Sequence, residues 1–166
     1  MRDNIEILRN IVLFEDFRED EKTLRKIEKL FVERSGRKGD IIIRDGEEGD
    51  ELYIIKQGCV RILKYTLQNE PYTVAILSAD QHVFFGEIGL LLNDRRTATV
   101  VAEEDCVFLV TDRKKFSDFG DKEPYIALRI TRKIAQILSR RLYKTNQDVV
   151  TLFSALVSEI DVEQRF

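Results

Sequence analysis

Phe85-Gly86-Glu87-Ile88-Gly89-Leu90-Leu91-Leu92-Asn93-Asp94-Arg95-Arg96-Thr97-Ala98-Thr99-Val100 is the stretch from which the rest of the chain can be read. A glycine, a carboxylate and the apolar run Ile88 to Leu92 predict a short helix. Its first backbone N–H groups have no intrahelical acceptor and can point at an anion. Asn93-Asp94 supplies a turn, and Arg96 opens the alternating run Arg96-Thr97-Ala98-Thr99-Val100, which predicts a strand. A guanidinium is thereby returned to the helix start, and the stretch reads as an anion cradle.

Upstream, Lys38 to Gly58 is predicted as strand, tight turn and strand, with Gly39, Gly46, Gly49 and Gly58 at the chain reversals. Cys59 to Tyr65 and Tyr72 to Leu77 form a hairpin around Gln68-Asn69-Glu70-Pro71, and Cys106 to Val110 is a late strand. Short apolar runs between turn residues from Val32 onward predict a many-stranded antiparallel unit, a β-barrel or jelly roll. Ahead of it, Ile5, Leu8, Val12 and Leu13, then Leu24, Ile27, Leu30 and Phe31, keep helical spacing. Two helices are expected, with a break near Phe14 to Arg18 and Asp20 as N-cap of the second. Asp112 to Phe116 starts a further helix. Beyond Pro124, Ile126, Ile130, Ile134, Leu138, Leu142, Val149, Leu152, Phe153 and Leu156 stay close to one face, as one long helix or two. The expected division is 1–31 helical, 32–111 jelly roll with the cradle at 85–100, and 112–166 helical, all as one domain of α+β class.

The pattern F-G-E-[IL]-x-L-L-x(4)-R-[TA]-A-[ST]-V resembles the phosphate-binding cassette of cyclic nucleotide-binding domains, as found in catabolite activator proteins and in cAMP-dependent kinase regulatory subunits. The segment Gly46 to Gly58, G-x-x-G-D-x-[LF]-Y-x-I-x-x-G, resembles the first half of the same family. The resemblance implies an eight-stranded antiparallel jelly roll, a double-stranded β-helix, flanked by amino-terminal helices and a long carboxy-terminal helix. It also implies roles. Arg96 would make a two-pronged pair with the exocyclic phosphate oxygens. Glu87 would accept from the ribose hydroxyl. Backbone N–H groups of Gly86, Ile88, Gly89 and Ala98 would complete the cradle, and Thr97 would add a hydroxyl donor. Family members commonly enter the cassette through G-D-x-F-G-E, whereas here Ala79 to Phe84 makes the approach three residues longer between the aspartate and the phenylalanine.

A threonine after the cassette arginine resembles cGMP-preferring sites, yet some cAMP-responsive members carry it, and cAMP is the expected ligand, with cGMP the alternative. The stretch around Arg140-Arg141-Leu142 resembles the long helix after the barrel in the catabolite-activator class. By that resemblance Thr145 and Asn146 face the adenine amino group. The apolar stripe from Ile134 to Leu156 predicts a homodimer through this helix, against the alternative that it packs as an intramolecular lid. By the family's logic, ligand binding repositions the helix to control an effector protein of unknown kind.

Composition agrees with a soluble globular protein: 166 residues, 43% hydrophobic and 34% charged, with a net charge of −3 that gives no electrostatic reason to expect nucleic acid. The uncharged run Val149 to Ser158 has ten residues, about half the ~20 a membrane span needs. The amino terminus lacks an apolar signal core, so the expectation is cytoplasmic. His82 is the single histidine, too few for Ser-His-Asp or multi-histidine metal chemistry. No catalytic residue, metal ligand or cofactor is therefore expected. Cys59 and Cys106 read as buried thiols. Arg129, Arg132, Lys133, Arg140, Arg141 and Lys144 read as a solvated helix face, against the alternative of a docking surface for an acidic partner or nucleic acid. Two rival functions stand beside the sensor: a ligand-free assembly module, and a truncated transcription regulator of the catabolite-activator class, which would need a DNA-binding domain not seen in this sequence.

Overall fold

The computed structural model describes residues 3–92 and 94–163, and the chain divides into two units, Met1–Ile130 and Thr131–Phe166. In the first, α1 (Asn4–Asn10) and α2 (Glu21–Glu28) flank a 3₁₀ turn, Val12–Phe17. That turn is the expected break: Leu13, Phe14 and Phe17 are all buried along it. Asp20 caps α2 by accepting from the Thr23 backbone N–H at 3.0 Å.

Among the described residues eight strands follow: β1 (Val32–Gly36), β2 (Ile41–Ile43), β3 (Glu51–Gln57), β4 (Cys59–Tyr65), β5 (Pro71–Ser78), β6 (Phe84–Phe85), β7 (Thr99–Ala102) and β8 (Cys106–Asp112). They form two four-stranded antiparallel sheets, ordered β1-β8-β3-β6 and β2-β7-β4-β5. This is the expected jelly roll. Tyr53, Ile55, Val60, Phe85, Val100, Cys106, Phe108 and Val110 fill one core cluster. Because β3 is covered on both faces, Leu52 and Ile54 are buried as deeply as Tyr53 and Ile55, and the strand reads as a continuous apolar run.

Between the strands and the helices lies a charge that periodicity does not flag. Lys56 is 7% exposed, and its ammonium donates to Asn4 Oδ1 of α1 at 2.8 Å and to the carboxylate of Glu33 on β1. The Lys56 hydrogen bond holds the Glu33 carboxyl below its ordinary value. Folding therefore favours ionised Glu33. This contribution is fully present above the ordinary carboxylate range and is lost as pH falls through the lower folded-state value. Glu33→Ala is expected to cost about 1–3 kcal/mol at neutral pH, the worth of a hydrogen bond to a charged group. The gap from wild type should shrink in acid, and a gap unchanged between about pH 7 and pH 3 in urea unfolding would rule out the pair as its source.

One expectation needs correction. The run from Arg96 was predicted as strand, but β7 begins only at Thr99. The Arg96 N–H donates to Glu47 O at 2.8 Å and its carbonyl accepts from Gly46 N at 2.9 Å. Arg95 bridges Glu48. The backbone before β7 thus pairs with the β2–β3 turn and not with the sheet.

After β8, Asp112 caps α4 (Arg113–Lys122). A single helix, α5 (Pro124–Glu163), then carries the chain into the second unit, with proline at its first position, where no N–H is needed. Ile126 and Ile130 are buried in the first unit. In the second unit Leu142, Val149, Leu152, Phe153 and Leu156 are exposed. No helix among the described residues is long and apolar enough to cross a membrane.

Candidate functional site

The short helix expected after Gly86 is α3 (Glu87–Leu91). Gly86 is its N-cap, with φ +81°. Phe85 delivers the chain to this point by pairing with Tyr53 on β3, their rings stacked at 5.1 Å. The long approach Ala79 to Phe84 is absorbed by one 3₁₀ turn, Ala79–Gln81, closed when the Ser78 N–H donates to Gln81 Oε1 at 3.0 Å. The cassette therefore meets β3 in spite of the insertion.

Two charged side chains are buried where the cradle was expected: Glu87 at 4% and Arg96 at 9% exposure. Burial of such groups is costly unless they are engaged. Arg96 Nη1 donates to the carbonyls of Glu51 at 2.9 Å and Gly86 at 3.3 Å. Its guanidinium lies against two glycines. A methyl group on Gly49 would sit 2.4 Å from Arg96 Nε, and one on Gly89 would sit 2.5 Å from Nη1. Side chains at either position would displace the cation, so these residue types set where it points. Glu51 is itself anchored. Arg34 donates to its carboxylate at 2.7 and 3.0 Å, and the Tyr53 hydroxyl donates to it as well. Burial pushes the Glu51 carboxyl up, but the hydrogen bonds from Arg34 and Tyr53 outweigh it and hold the group below its ordinary range. Burial, then Glu51, push the Tyr53 hydroxyl well above its ordinary value, so the hydroxyl stays a donor.

A cavity of about 480 Å³ opens beside this arrangement, lined by Glu48, Gly49, Asp50, Asp94 and Arg95. Its carboxylates suit hydroxyl groups, while the start of α3 offers N–H donors to an anion. Ile88 and Ala98 are half-buried, and Thr97, next in the chain after the buried Arg96, is exposed. The structure thus gathers Gly86, Glu87, Ile88, Gly89 and Arg96 into one locus, with Thr97 and Ala98 following in the chain. Thr145 and Asn146 lie exposed on α5 in the second unit.

Arg113 escaped sequence reasoning. It donates to the carbonyls of Gly89 at 2.6 Å, Leu90 at 3.3 Å and Leu92. These are the orphan acceptors at the carboxy-terminal end of a five-residue helix. A signal was present: a cation at the first position of α4 opposes that helix's own dipole, which asks for another partner. Among the described residues no group of three or more histidines, cysteines, aspartates and glutamates could hold a metal ion. Cys59 and Cys106 are free thiols, and burial pushes both up from the ordinary thiol value.

Residues 33–123 match the family model of the cyclic nucleotide-binding domain. The chain is similar to cGMP-dependent protein kinase 2 of Mus musculus, 38% identical over 125 residues, which is 72% of this chain and 16% of the kinase. It is similar to the cAMP-dependent protein kinase type II regulatory subunit of Drosophila melanogaster, 28% identical over 93% of this chain and 39% of that one. Among solved structures, the Thermus thermophilus catabolite activator protein superposes with a TM-score of 0.73 at 28% identity, covering 85% of this chain and 62% of that one. The chain spans well under half the length of these kinase relatives.

Proposed function

The chain belongs to the cyclic nucleotide-binding domain family, and from that membership we propose that it is a regulatory sensor, not a catalyst, which binds cAMP through the cassette. The observation that carries this is the buried Arg96, held by the carbonyls of Glu51 and Gly86 at the start of α3. Backbone carbonyls orient the guanidinium without neutralising its charge, and Gly49 and Gly89 leave the main chain close around it; the anion of a cyclic nucleotide is a single diester charge. Glu87 would accept from the ribose hydroxyl, and N–H groups of Gly86, Ile88, Gly89 and Ala98 would donate to the phosphate.

The base is the finer part of the proposal. Favouring cAMP, Thr145 and Asn146 are suited to accept from an adenine amino group, and the cAMP-dependent regulatory subunit matches over 93% of this chain, although the cGMP-dependent kinase is the more identical of the two, 38% against 28%. The exposed Thr97 hydroxyl supports cGMP as the alternative. We also propose a homodimer through α5, supported by the exposed Leu142, Val149, Leu152, Phe153 and Leu156. Repositioning of that helix on ligand binding would be the signal.

Calorimetric titration with cAMP, in competition with cGMP, is expected to show cAMP binding ahead. A strong cGMP preference would reverse the base assignment, and no binding of either would favour the ligand-free assembly module. Light scattering is expected to give a dimer mass, whereas a monomer with and without nucleotide removes the dimer. Thr145→Ala with Asn146→Ala should weaken cAMP, and unchanged affinity removes the base contact alone.

A further inference from the structure

Away from the cassette, α2 and α4 border a groove of about 490 Å³. Its floor is apolar: Leu30, 5% exposed, and the half-buried ring of Phe119. Lys26, Lys29, Lys115 and Lys122 stand around it with two carboxylates, Asp118 and Glu123. Both carboxylates are already engaged, Glu123 by Lys26 at 2.6 Å and Asp118 by Lys114 at 2.7 Å. Lys115 pairs with Asp112 at 3.2 Å. Among the described residues Lys29 and Lys122 have no carboxylate partner, and both are exposed. A solvated lysine face has no need of an apolar floor, and an apolar hollow has no need of unpaired cations at its rim.

We propose that this groove receives an acidic segment of a partner protein, with one apolar side chain seated on Leu30 and Phe119 and flanking carboxylates paired to Lys29 and Lys122. Charge complementarity and the floor together select the occupant: Lys29 and Lys122 act on a bound carboxylate within a Debye length of about 8–10 Å, and Leu30 and Phe119 ask for an apolar side chain that a nucleic-acid backbone does not carry. The concave floor takes a side chain, whereas a lipid surface would need a flat or convex face.

The test uses the full chain and a fluorescein-labelled peptide of repeating Glu-Leu-Asp, followed by anisotropy. Saturable binding that weakens with added salt is expected. The Lys29→Glu, Lys122→Glu double variant should bind about tenfold more weakly, since each reversed rim charge acts at the strength of an exposed pair. A peptide with serine for leucine should also bind more weakly. Cyclic nucleotide affinity and the melting profile of the double variant should match wild type, so a failure here is separable from a failure of the cassette. Absence of saturable peptide binding, equal binding to the double variant, or equal binding of the serine peptide overturns the proposal. So does capture of tripolyphosphate or anionic vesicles without the peptide.

Discussion

Arg96→Glu is expected to abolish cyclic nucleotide binding while leaving a cooperatively folding protein. The guanidinium is 9% exposed and donates to the carbonyls of Glu51 and Gly86. A carboxylate there would face two carbonyls and would repel the phosphate it should hold. Removing one partner of a buried charged interaction costs about 3–5 kcal/mol, which is about 10² to 10⁴ in Kd. The fold should survive because Arg96 lies outside the cluster that joins the two sheets. Arg96→Lys should fall between the two, keeping the charge but losing the fork that matches two phosphate oxygens. Calorimetry together with thermal unfolding separates the effects, and micromolar affinity retained in Arg96→Glu would remove the cassette as the binding site.

The parts of this site that were legible in the sequence are those made by local chemistry. Gly86 before Glu87 specifies a turn into a helix; Asp20 and Asp112 announce their helices by capping them; the turn read around Gln68 to Pro71 joins β4 to β5, which begins at Pro71. What was not legible depends on long-range pairing. Arg96 alternates with its neighbours as a strand residue would, but its backbone is claimed by Gly46 and Glu47, some fifty positions earlier. Arg113 looks like an ordinary surface cation until α3 is placed beside it. Lys56 follows the apolar run Leu52 to Ile55 as though the strand were turning to solvent, yet Asn4 of α1 and Glu33 of β1 hold it in a buried position. Gly49 was readable as a reversal and Gly89 as part of the cradle, yet both also lie against the Arg96 guanidinium, which no local pattern reports.

Two glycines with nearly the same φ should respond differently to a single methyl group. Gly86 has φ +81° and Gly58 φ +89°, a region where an L side chain costs about 1–2 kcal/mol. At Gly58 the added Cβ would lie 2.6 Å from Cys106 Sγ and 2.8 Å from Asp105 O. Strain and overpacking together should cost about 2–5 kcal/mol of stability, with nucleotide affinity of the folded fraction unchanged. At Gly86 the Cβ would lie 2.6 Å from Glu51 O and 3.1 Å from Arg96 Nη1. The carbonyl it strikes is the one that holds the guanidinium, so relief of the clash must move either the start of α3 or Arg96. A displacement of about an ångström at such a site can cost about a hundredfold. Gly86→Ala is therefore expected to weaken nucleotide binding by about that factor, with a smaller fall in melting temperature than Gly58→Ala. If Gly86→Ala lowered the melting temperature as much as Gly58→Ala but bound nucleotide as wild type does, the turn into α3 would be a device of the fold alone. The phosphate contacts would then have to be made elsewhere.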